Sequence, residues 1–265
     1  MKVGTNWTSA SSMEIGRTLF DQGHTHFCEI LIDNIVSMEI ESIVDAIGEM
    51  PVAFHIMQSR IIERSPAELE ALAEIIRHLD AALNPIYISD HLACFTHAGR
   101  NLPLLAELDY DSQHVLIHER VKMWQDLLGS KVYFENYPSS LPRSGISQPA
   151  FFSDLMHGTG CGILFDISNA VVANVNASDP LADWHTVLQA SATAHFHIAG
   201  YRYSNTEPAL AIDSHDVDLS QESLAFAQEI LTYAPPDSTM VLERDANISD
   251  TTWTAEIKRL TALIH

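Results

Sequence analysis

Gly162-Ile163-Leu164-Phe165-Asp166 is a short apolar run that ends in a carboxylate, and Ile167-Ser168-Asn169 follows it directly. The run is too short for a helix and almost wholly apolar, as parallel strands covered on both faces are. Seven further runs of this kind occur, at residues 3–6, 27–32, 52–55, 86–91, 132–136, 195–198 and 240–244. The sequence therefore predicts about eight strands.

The segments between these runs carry helix signals. Ser65-Pro66-Ala67-Glu68 combines an N-cap serine, a proline at the first helical position and a glutamate that can complete a capping box. Asp179-Pro180 and Ser147-Gln148-Pro149 are expected to open two more helices in the same way. Residues 13–22, 114–128 and 220–233 are expected to be helices that end at glycine or before proline.

Eight βα units without a Gly/Ser-rich linker predict a single (β/α)8 TIM barrel over residues 1–265. A doubly wound open α/β sheet is the alternative. Its nucleotide-binding version loses support because no GxGxxG motif follows Val3-Gly4-Thr5-Asn6.

The composition excludes several partners. The chain has 14 Lys and Arg against 35 Asp and Glu, a net charge of −21, which repels nucleic acids and anionic membranes. It has no run of about 18 apolar residues and no secretory signal pattern, so a cytoplasmic protein is expected. Cys28, Cys94 and Cys161 form no CxxC motif and are interpreted as buried thiols in a reducing compartment.

Residues able to bind a metal stand at or just after the ends of most predicted strands. They are His55, His91, Glu135, Asp166, His197 and Glu243, together with Asp213 and His215 in the loop after the seventh strand. In a barrel these positions ring the C-terminal mouth, where active sites lie. So many carboxylates and imidazoles in one cavity would be costly without cations among them. We expect two or three ions of iron, manganese or zinc, bridged by carboxylates.

Other polar residues near the strand ends have weaker claims. His195 and His197 are expected to face opposite ways, and His197 is chosen because the loop-like Ile198-Ala199-Gly200-Tyr201 places it at the strand end. Glu29 and Asp90 are candidates to orient a histidine. Arg244 and Asp245 are placed at the mouth, where they could touch a substrate. The histidines outside the strand ends are expected to be solvated: His24, His78, His114, His118, His157, His185 and His265.

The order of these residues resembles the trinuclear site of the xylose-isomerase-like barrels, which include endonuclease IV. Asn169 stands where that nuclease family has a histidine. Longer motifs, over about residues 2–264, resemble the MbnB family of methanobactin biosynthesis: Ile32-Asp33-Asn34, Phe54-His55-Ile56-Met57, Tyr87-Ile88-Ser89-Asp90-His91, Glu135-Asn136-Tyr137-Pro138-Ser139, Leu164-Phe165-Asp166-Ile167-Ser168-Asn169-Ala170-Val171, Phe196-His197-Ile198-Ala199-Gly200-Tyr201 and Glu243-Arg244-Asp245.

That resemblance implies a multinuclear non-haem iron oxidase or oxygenase that uses O₂ as co-substrate. Such an enzyme would convert a cysteine of a ribosomally made precursor peptide to an oxazolone with an adjacent thioamide, together with an MbnC-like partner protein.

The resemblance also assigns the ligands by position. His55, His91 and Glu135 would hold one iron, and Glu135 would bridge to a second iron held by Asp166 and Glu243. His197, Asp213 and His215 would complete the second and third sites, and the neutral Asn169 would weaken the third. Glu135 and Asp245 are the residues expected to act in catalysis.

Two other functions stay open on the residues alone. One is a metal-dependent phosphodiesterase or isomerase on the same barrel, since a fold does not fix a function. The other is a non-catalytic metal-binding scaffold. The residues do not select iron, because the affinity order of divalent ions favours copper or zinc at many such sites.

Overall fold

Eight parallel strands form a closed barrel in the computed structural model, which describes residues 1–264. Strands are numbered in chain order, and those of the barrel are β1 (Lys2–Trp7), β2 (Phe27–Leu31), β3 (Val52–Ile56), β4 (Ile88–His91), β7 (Val132–Glu135), β8 (Gly162–Asp166), β9 (Ala194–Ala199) and β12 (Thr239–Glu243). Each pairs with the next barrel strand along the chain, and β12 closes on β1. The predicted (β/α)8 barrel is confirmed.

Two antiparallel hairpins interrupt the βα repeat and were not predicted. β5 (Cys94–His97) and β6 (Arg100–Ala106) follow β4, and β10 (Tyr201–Tyr203) and β11 (Ala211–Asp213) follow β9. Both hairpins therefore stand at the C-terminal mouth of the barrel. The interpretation of all three cysteines as buried is wrong for Cys94, which is only partly buried because it lies on an outer hairpin.

Nine α-helices are present in residues 1–264: α1 (Ala10–Asp21), α2 (Ile40–Ile47), α3 (Pro66–Leu83), α4 (His114–Leu128), α5 (Gln148–Thr159), α6 (Ile167–Ala177), α7 (Asp183–Ala190), α8 (Gln221–Ile230) and α9 (Asp250–Ile264). The predicted caps at Ser65 and Ser147 are confirmed, and Glu68 completes the capping box of α3. α1 starts earlier than predicted because Ser9 caps it. α7 starts only at Asp183, since Asp179 and Pro180 precede a turn.

The barrel interior has an apolar lower part and a polar upper part. The lower part is filled by Phe27, Ala53, Tyr87, Tyr133, Leu164 and Val241. Above it, towards the mouth, the strands end in the histidines and carboxylates of the predicted site. Side-chain layers of this kind fill TIM barrels, so the polar cluster rests on a closed apolar floor.

Within residues 1–264, no helix is both long enough and apolar enough to span a bilayer. His265, expected to be solvated, lies outside the described residues.

Candidate metal centre

Strand register brings the predicted ligands together. His91 at the end of β4 is the register partner of Glu135 at the end of β7, and Asp166 on β8 is the partner of His197 on β9. Asp166 also caps α6, because its Oδ1 accepts a hydrogen bond of 2.7 Å from the backbone N–H of Asn169. Asp166 is therefore both the last residue of β8 and the N-cap of α6.

Glu135 lies between two groups of candidate ligands. Its Oε2 is 3.0 Å from Nδ1 of His91 and 3.6 Å from Nε2 of His55. Its Oε1 is 3.7 Å from Nδ1 of His197, which lies 3.2 Å from Oε2 of Glu243. Ligand atoms of Glu135, Asp166, His197 and Glu243 all lie within 4.8 Å of one another. One carboxylate therefore reaches both groups, the geometry of a bridging ligand.

His215 forms the third side of the cluster. Its Nε2 is 2.7 Å from Oδ1 of Asp213, and its Nδ1 is 3.3 Å from Oδ2 of Asp245 and 3.9 Å from Oε2 of Glu243. His215 has a φ of 49°, a left-handed conformation that is costly for a side chain other than glycine. Backbone hydrogen bonds to Gly200 and Asp245 hold it there. Such strain is common at functional sites.

Asn169 contacts the centre through its amide. Its Nδ2 donates to Oε1 of Glu135 over 3.2 Å and to the carbonyl oxygen of Asn136 over 3.0 Å, while its Oδ1 is buried without a hydrogen-bond partner among the described residues. The amide thus positions Glu135 and leaves one oxygen free for a ligand.

Three buried carboxylate oxygens of the centre make no well-directed hydrogen bond, although two of them lie within 3.2 Å of an imidazole nitrogen. Oε2 of Glu135, Oδ2 of Asp166 and Oε2 of Glu243 lack a hydrogen-bond partner among residues 1–264. Glu135, Asp166 and Glu243 are only 6%, 0% and 8% exposed, respectively. Unpartnered buried carboxylate oxygens are costly, and a cation removes that cost. The donor set of imidazoles and carboxylates fits iron, manganese or zinc.

The charges of the centre shift its pKa values in opposite directions. Burial, together with the charges of Glu135 and Asp213, raises the pKa of Asp166 well above its usual range. Burial would also raise the pKa of Glu135, but His91 and His197 outweigh it and hold that pKa well below normal. Protons on some groups therefore balance the negative charge of others, and metal ions would displace those protons.

Carboxylates also shift the pKa values of two histidines of the centre, His197 and His215. Burial would lower the pKa of His197, yet Glu243 and Glu29 raise it well above its ordinary value. Burial likewise opposes protonation of His215, and Asp213 and Glu243 reverse the effect.

Residues behind the centre orient its histidines. Oε1 of Glu29 lies 2.8 Å from Nε2 of His197, and the Tyr87 hydroxyl donates to Oε2 of Glu29 over 2.6 Å. Nδ1 of His55 lies 2.9 Å from the Ser89 hydroxyl. Glu29 therefore stands where a histidine-orienting carboxylate is expected. Sequence reasoning missed both Ser89, which lies on β4 two residues before His91, and Tyr87, which lies just before β4.

Asp90 has a different position from Glu29. Its Oδ1 accepts hydrogen bonds from the Ser59 hydroxyl and from the backbone N–H of His91, both over 2.8 Å. Burial raises its pKa to about 7. Asp90 therefore supports the strand end and contacts no imidazole through its side chain.

The prediction that His195 and His197 face opposite ways is wrong. His195 stacks on Tyr87 with ring centroids 4.0 Å apart, and its Nδ1 lies 2.9 Å from the Thr239 hydroxyl. Side chains alternate along a strand with a period of two, so residues i and i+2 share a face. His195 therefore lies one layer deeper inside the barrel, where burial lowers its pKa to about 4.

Two further expectations need correction. Arg244 does not reach the mouth: its guanidinium is buried against Glu256 and Asp218, at 2.8 and 3.0 Å. The surface histidines are not all free in solvent, since His114 and His118 pair with Asp154, and His185 pairs with Glu229. The sequence pattern of one helix does not predict which residues of a neighbouring helix its side chains contact.

A cavity of about 480 Å³ opens above the centre. Its floor includes His55, His91, Glu135, Asn169, Asp213, His215, Glu243 and Asp245. Its walls are largely apolar and come from both hairpins and from the segment after β7, through residues such as Leu104, Tyr137 and Ile212. An apolar entrance above a polar floor suits a substrate that presents one reactive group to a metal.

The sequence model of one protein family matches residues 2–265, and that family is described as the RiPP precursor modification enzyme MbnB/TglH/ChrH. A UPF0276 protein of Bordetella pertussis (strain Tohama I) is 32% identical over 180 residues, which are 65% of this chain and 61% of that protein. The match thus spans less than two thirds of that relative's length.

Solved structures share the fold at low identity. A xylose isomerase domain containing protein from Salmonella typhimurium superposes with a TM-score of 0.68 at 11% identity, covering 99% of this chain and 97% of that one. A xylose isomerase-like TIM barrel protein from Mycobacterium smegmatis, solved in complex with magnesium, gives a TM-score of 0.64 at 13% identity, covering 100% and 98%.

Proposed function

Because the chain belongs to the MbnB/TglH/ChrH family of RiPP precursor modification enzymes, we propose that it oxidises a cysteine of a ribosomally made precursor peptide, using iron and O₂. The observation that carries this proposal is the position of Glu135, which reaches two groups of buried ligands beneath an open cavity. A shared carboxylate of this kind supports a multinuclear centre.

The proposed ligand assignment is the one that the family resemblance implies, and the distances between the side chains support it. His55, His91 and Glu135 would hold one ion, and Glu135 would bridge to a second held by Asp166 and Glu243. His197, Asp213 and His215 would complete the second and a third site, beside Asn169. Iron bound there would supply redox chemistry and an open position for a thiolate and O₂.

The chain's own residues hold and orient the centre. Glu29 fixes the ring of His197 from behind, and Ser89 fixes the ring of His55. Burial opposes ionisation of Asp245, but its contact with His215 lowers its pKa, so it is a carboxylate at neutral pH. Asn6 donates to its Oδ1 over 3.0 Å. We assign Asp245, which lines the cavity, to binding the peptide beside the reactive cysteine.

The proposed net reaction balances without another reductant. The target cysteine and its preceding residue lose four hydrogen atoms as the oxazolone and the thioamide form. O₂ accepts the corresponding four electrons and four protons and leaves as two molecules of water. The apolar walls of the cavity would shield the thiolate from bulk water.

The experiment compares two peptides, the native precursor and a variant with serine at the target position, each incubated with the chain and its MbnC-like partner, with and without O₂. The native peptide is expected to lose four hydrogen atoms only with Fe(II) and O₂. The serine peptide should not change, because a hydroxyl ionises far less readily than a thiol and is a poorer iron donor. Mass spectrometry reads the result. The same loss from the serine peptide, or without O₂, contradicts the mechanism.

The same assay separates the other activities open to this barrel. A hydrolase would cleave its substrate without O₂ and without regard to the thiol. A scaffold would leave the peptide mass unchanged. Iron content and colour after anaerobic purification separate an iron enzyme from a zinc enzyme.

We also propose a heterodimer with an MbnC-like partner that helps to hold the peptide. The isolated chain should then be inactive or poorly active, and adding the partner should restore turnover. Full activity of the purified chain alone would contradict this proposal.

A further inference from the structure

A second group of candidate metal ligands lies outside the barrel, between α4 and α5. His114 and His118 stand one turn apart on α4, and Asp154 faces them from α5. Oδ2 of Asp154 lies 2.7 Å from Nε2 of His114 and 3.1 Å from Nε2 of His118. One carboxylate oxygen thus faces two imidazole nitrogens.

Packing holds both imidazoles in this arrangement. Their rings stack with centroids 4.4 Å apart and an interplanar angle of 29°. Gly158 leaves the space that the His118 ring occupies, since a Cβ at position 158 would lie 2.8 Å from Cε1 and Nδ1 of His118. The two ligands of α4 are therefore already directed at Asp154.

His118 has a nitrogen without a hydrogen bond. Its Nε2 is buried and has no hydrogen-bond partner among residues 1–264, because the contact with Asp154 is close in distance but poor in direction. Burial and the neighbouring His114 lower the pKa of His118, which favours the neutral ring. A neutral imidazole with a free nitrogen can bind a metal ion through that nitrogen.

We propose that His114, His118 and Asp154 bind one divalent transition-metal ion of the Zn²⁺ and Co²⁺ class, separately from the centre in the barrel. Two imidazoles and one carboxylate are donors that these ions prefer. The side chains of His114 and Asp154 are 36% and 54% exposed, so water can fill the remaining positions. Lys122, one turn beyond His118, is the nearby positive charge that opposes binding.

The ion would reinforce the contact between α4 and α5 and the segments that precede them. Tyr110, in the segment before α4, stacks on Phe151 of α5 with centroids 4.2 Å apart. Arg143, in the segment before α5, lies over the Tyr110 ring and pairs with Glu107. Only the folded chain joins ligands from α4 and α5, so the bound ion stabilises that contact.

The first test counts bound ions. Metal-free protein is saturated with Co²⁺ or Zn²⁺, passed through a desalting column and analysed for metal. We expect Asp154→Asn and His118→Ala to bind one ion fewer per chain than wild type. His78→Ala, which removes an exposed histidine of α3, is the matched control and should keep the wild-type count. Equal counts in wild type and Asp154→Asn would overturn the proposal.

The second test locates the ion. Zn²⁺ should protect His114 from carbethoxylation by diethyl pyrocarbonate in wild type but not in Asp154→Asn, as peptide mass mapping would show. His78 should react equally in both proteins, with and without Zn²⁺. Asp154 is exposed, so its isosteric change leaves the fold intact, which an unchanged iron content of the barrel would verify. Protection that persists in Asp154→Asn, or is absent from wild type, refutes the site.

Discussion

Glu135 is the residue on which the proposed centre depends, because its two oxygens face different histidines. His91 and His55 lie on one side, and His197 lies on the other. Asn169 donates a hydrogen bond to the oxygen that faces His197, which fixes how the carboxylate is turned. At the scale of single residues, the proposed centre thus depends on one carboxylate whose orientation is set by neighbouring side chains.

Glu135→Gln should lower the bound iron and abolish turnover. Glutamine keeps the shape of the side chain but removes the negative charge that could bridge two cations. Iron analysis and the peptide mass assay measure the outcome. Glu256→Gln is the control, since Glu256 is an equally buried carboxylate that pairs with Arg244 away from the mouth. Unchanged iron and wild-type activity in Glu135→Gln would contradict the assignment.

Ser89→Ala should weaken the metal site that contains His55 by about 10-fold to 100-fold, the usual cost of losing a group that orients a ligand. The Ser89 hydroxyl lies 2.9 Å from Nδ1 of His55 and fixes its ring. Metal titration of the two proteins tests this. Ser168→Ala removes a buried hydroxyl that binds the Ala199 carbonyl oxygen instead, and it should retain wild-type affinity. Equal weakening by both variants would indicate a general packing effect.

The hairpin of β10 and β11 positions two candidate ligands that no barrel strand supplies. Asp213 ends β11, and His215 follows it in a left-handed conformation. Gly200 joins this hairpin to β9, and a Cβ there would overlap the Val217 carbonyl oxygen. At the scale of elements, one close backbone contact sets the position of two candidate ligands.

Gly200→Ala should destabilise the protein by about 2–3 kcal/mol, as overpacking of a tight contact does, and should reduce the metal content. The hairpin must move away from Val217, and Asp213 and His215 move with it. Denaturant unfolding and metal analysis measure both effects. Gly99→Ala is the control, because Gly99 also lies in a hairpin at the mouth but has nothing within 4 Å of its added Cβ. It should cost about 1 kcal/mol for its left-handed φ and leave the metal content unchanged.

At the scale of the whole molecule, part of the net charge of −21 lies inside the barrel, where Glu29, Glu135, Asp166 and Glu243 are buried. Nearby carboxylates raise the pKa values of His197 and His215 against the effect of burial, and burial raises the pKa of Asp166, so these groups hold protons that offset part of the charge. Metal ions would take the place of those protons.

The metal-free protein should therefore lose stability as the pH rises above the ordinary histidine pKa of 6.5. Groups with a raised folded-state pKa stabilise the fold while protonated, and that contribution disappears as the pH passes through the raised pKa. The iron-loaded protein should keep its melting temperature over the same range. Thermal unfolding of both forms from neutral to alkaline pH tests this. A parallel decline in both forms would contradict the exchange of protons for metal.

Much of the fold and most of the candidate site follow from the sequence. Short apolar runs gave all eight barrel strands, because a covered parallel strand has a local signature. A carboxylate or imidazole at the ends of most strands then indicated a site at the mouth, since parallel strands of a barrel end on the same side. His55, His91, Glu135, Asp166, His197 and Glu243 all lie there.

Tertiary structure alone decided the contacts between elements. Three such contacts depend on the packing of separate segments. They are the orientation of Glu135 towards both groups of candidate ligands, the buried ion pair of Arg244 with Glu256, and the contact of His114 and His118 with Asp154. The sequence pattern also did not predict the hairpins at the mouth, because their strands are short and only partly buried. The physical reason is that the local periodicity of the sequence determines which face of a strand or helix a side chain lies on. Strand register and helix packing involve residues distant in sequence, and they determine which other side chains it contacts.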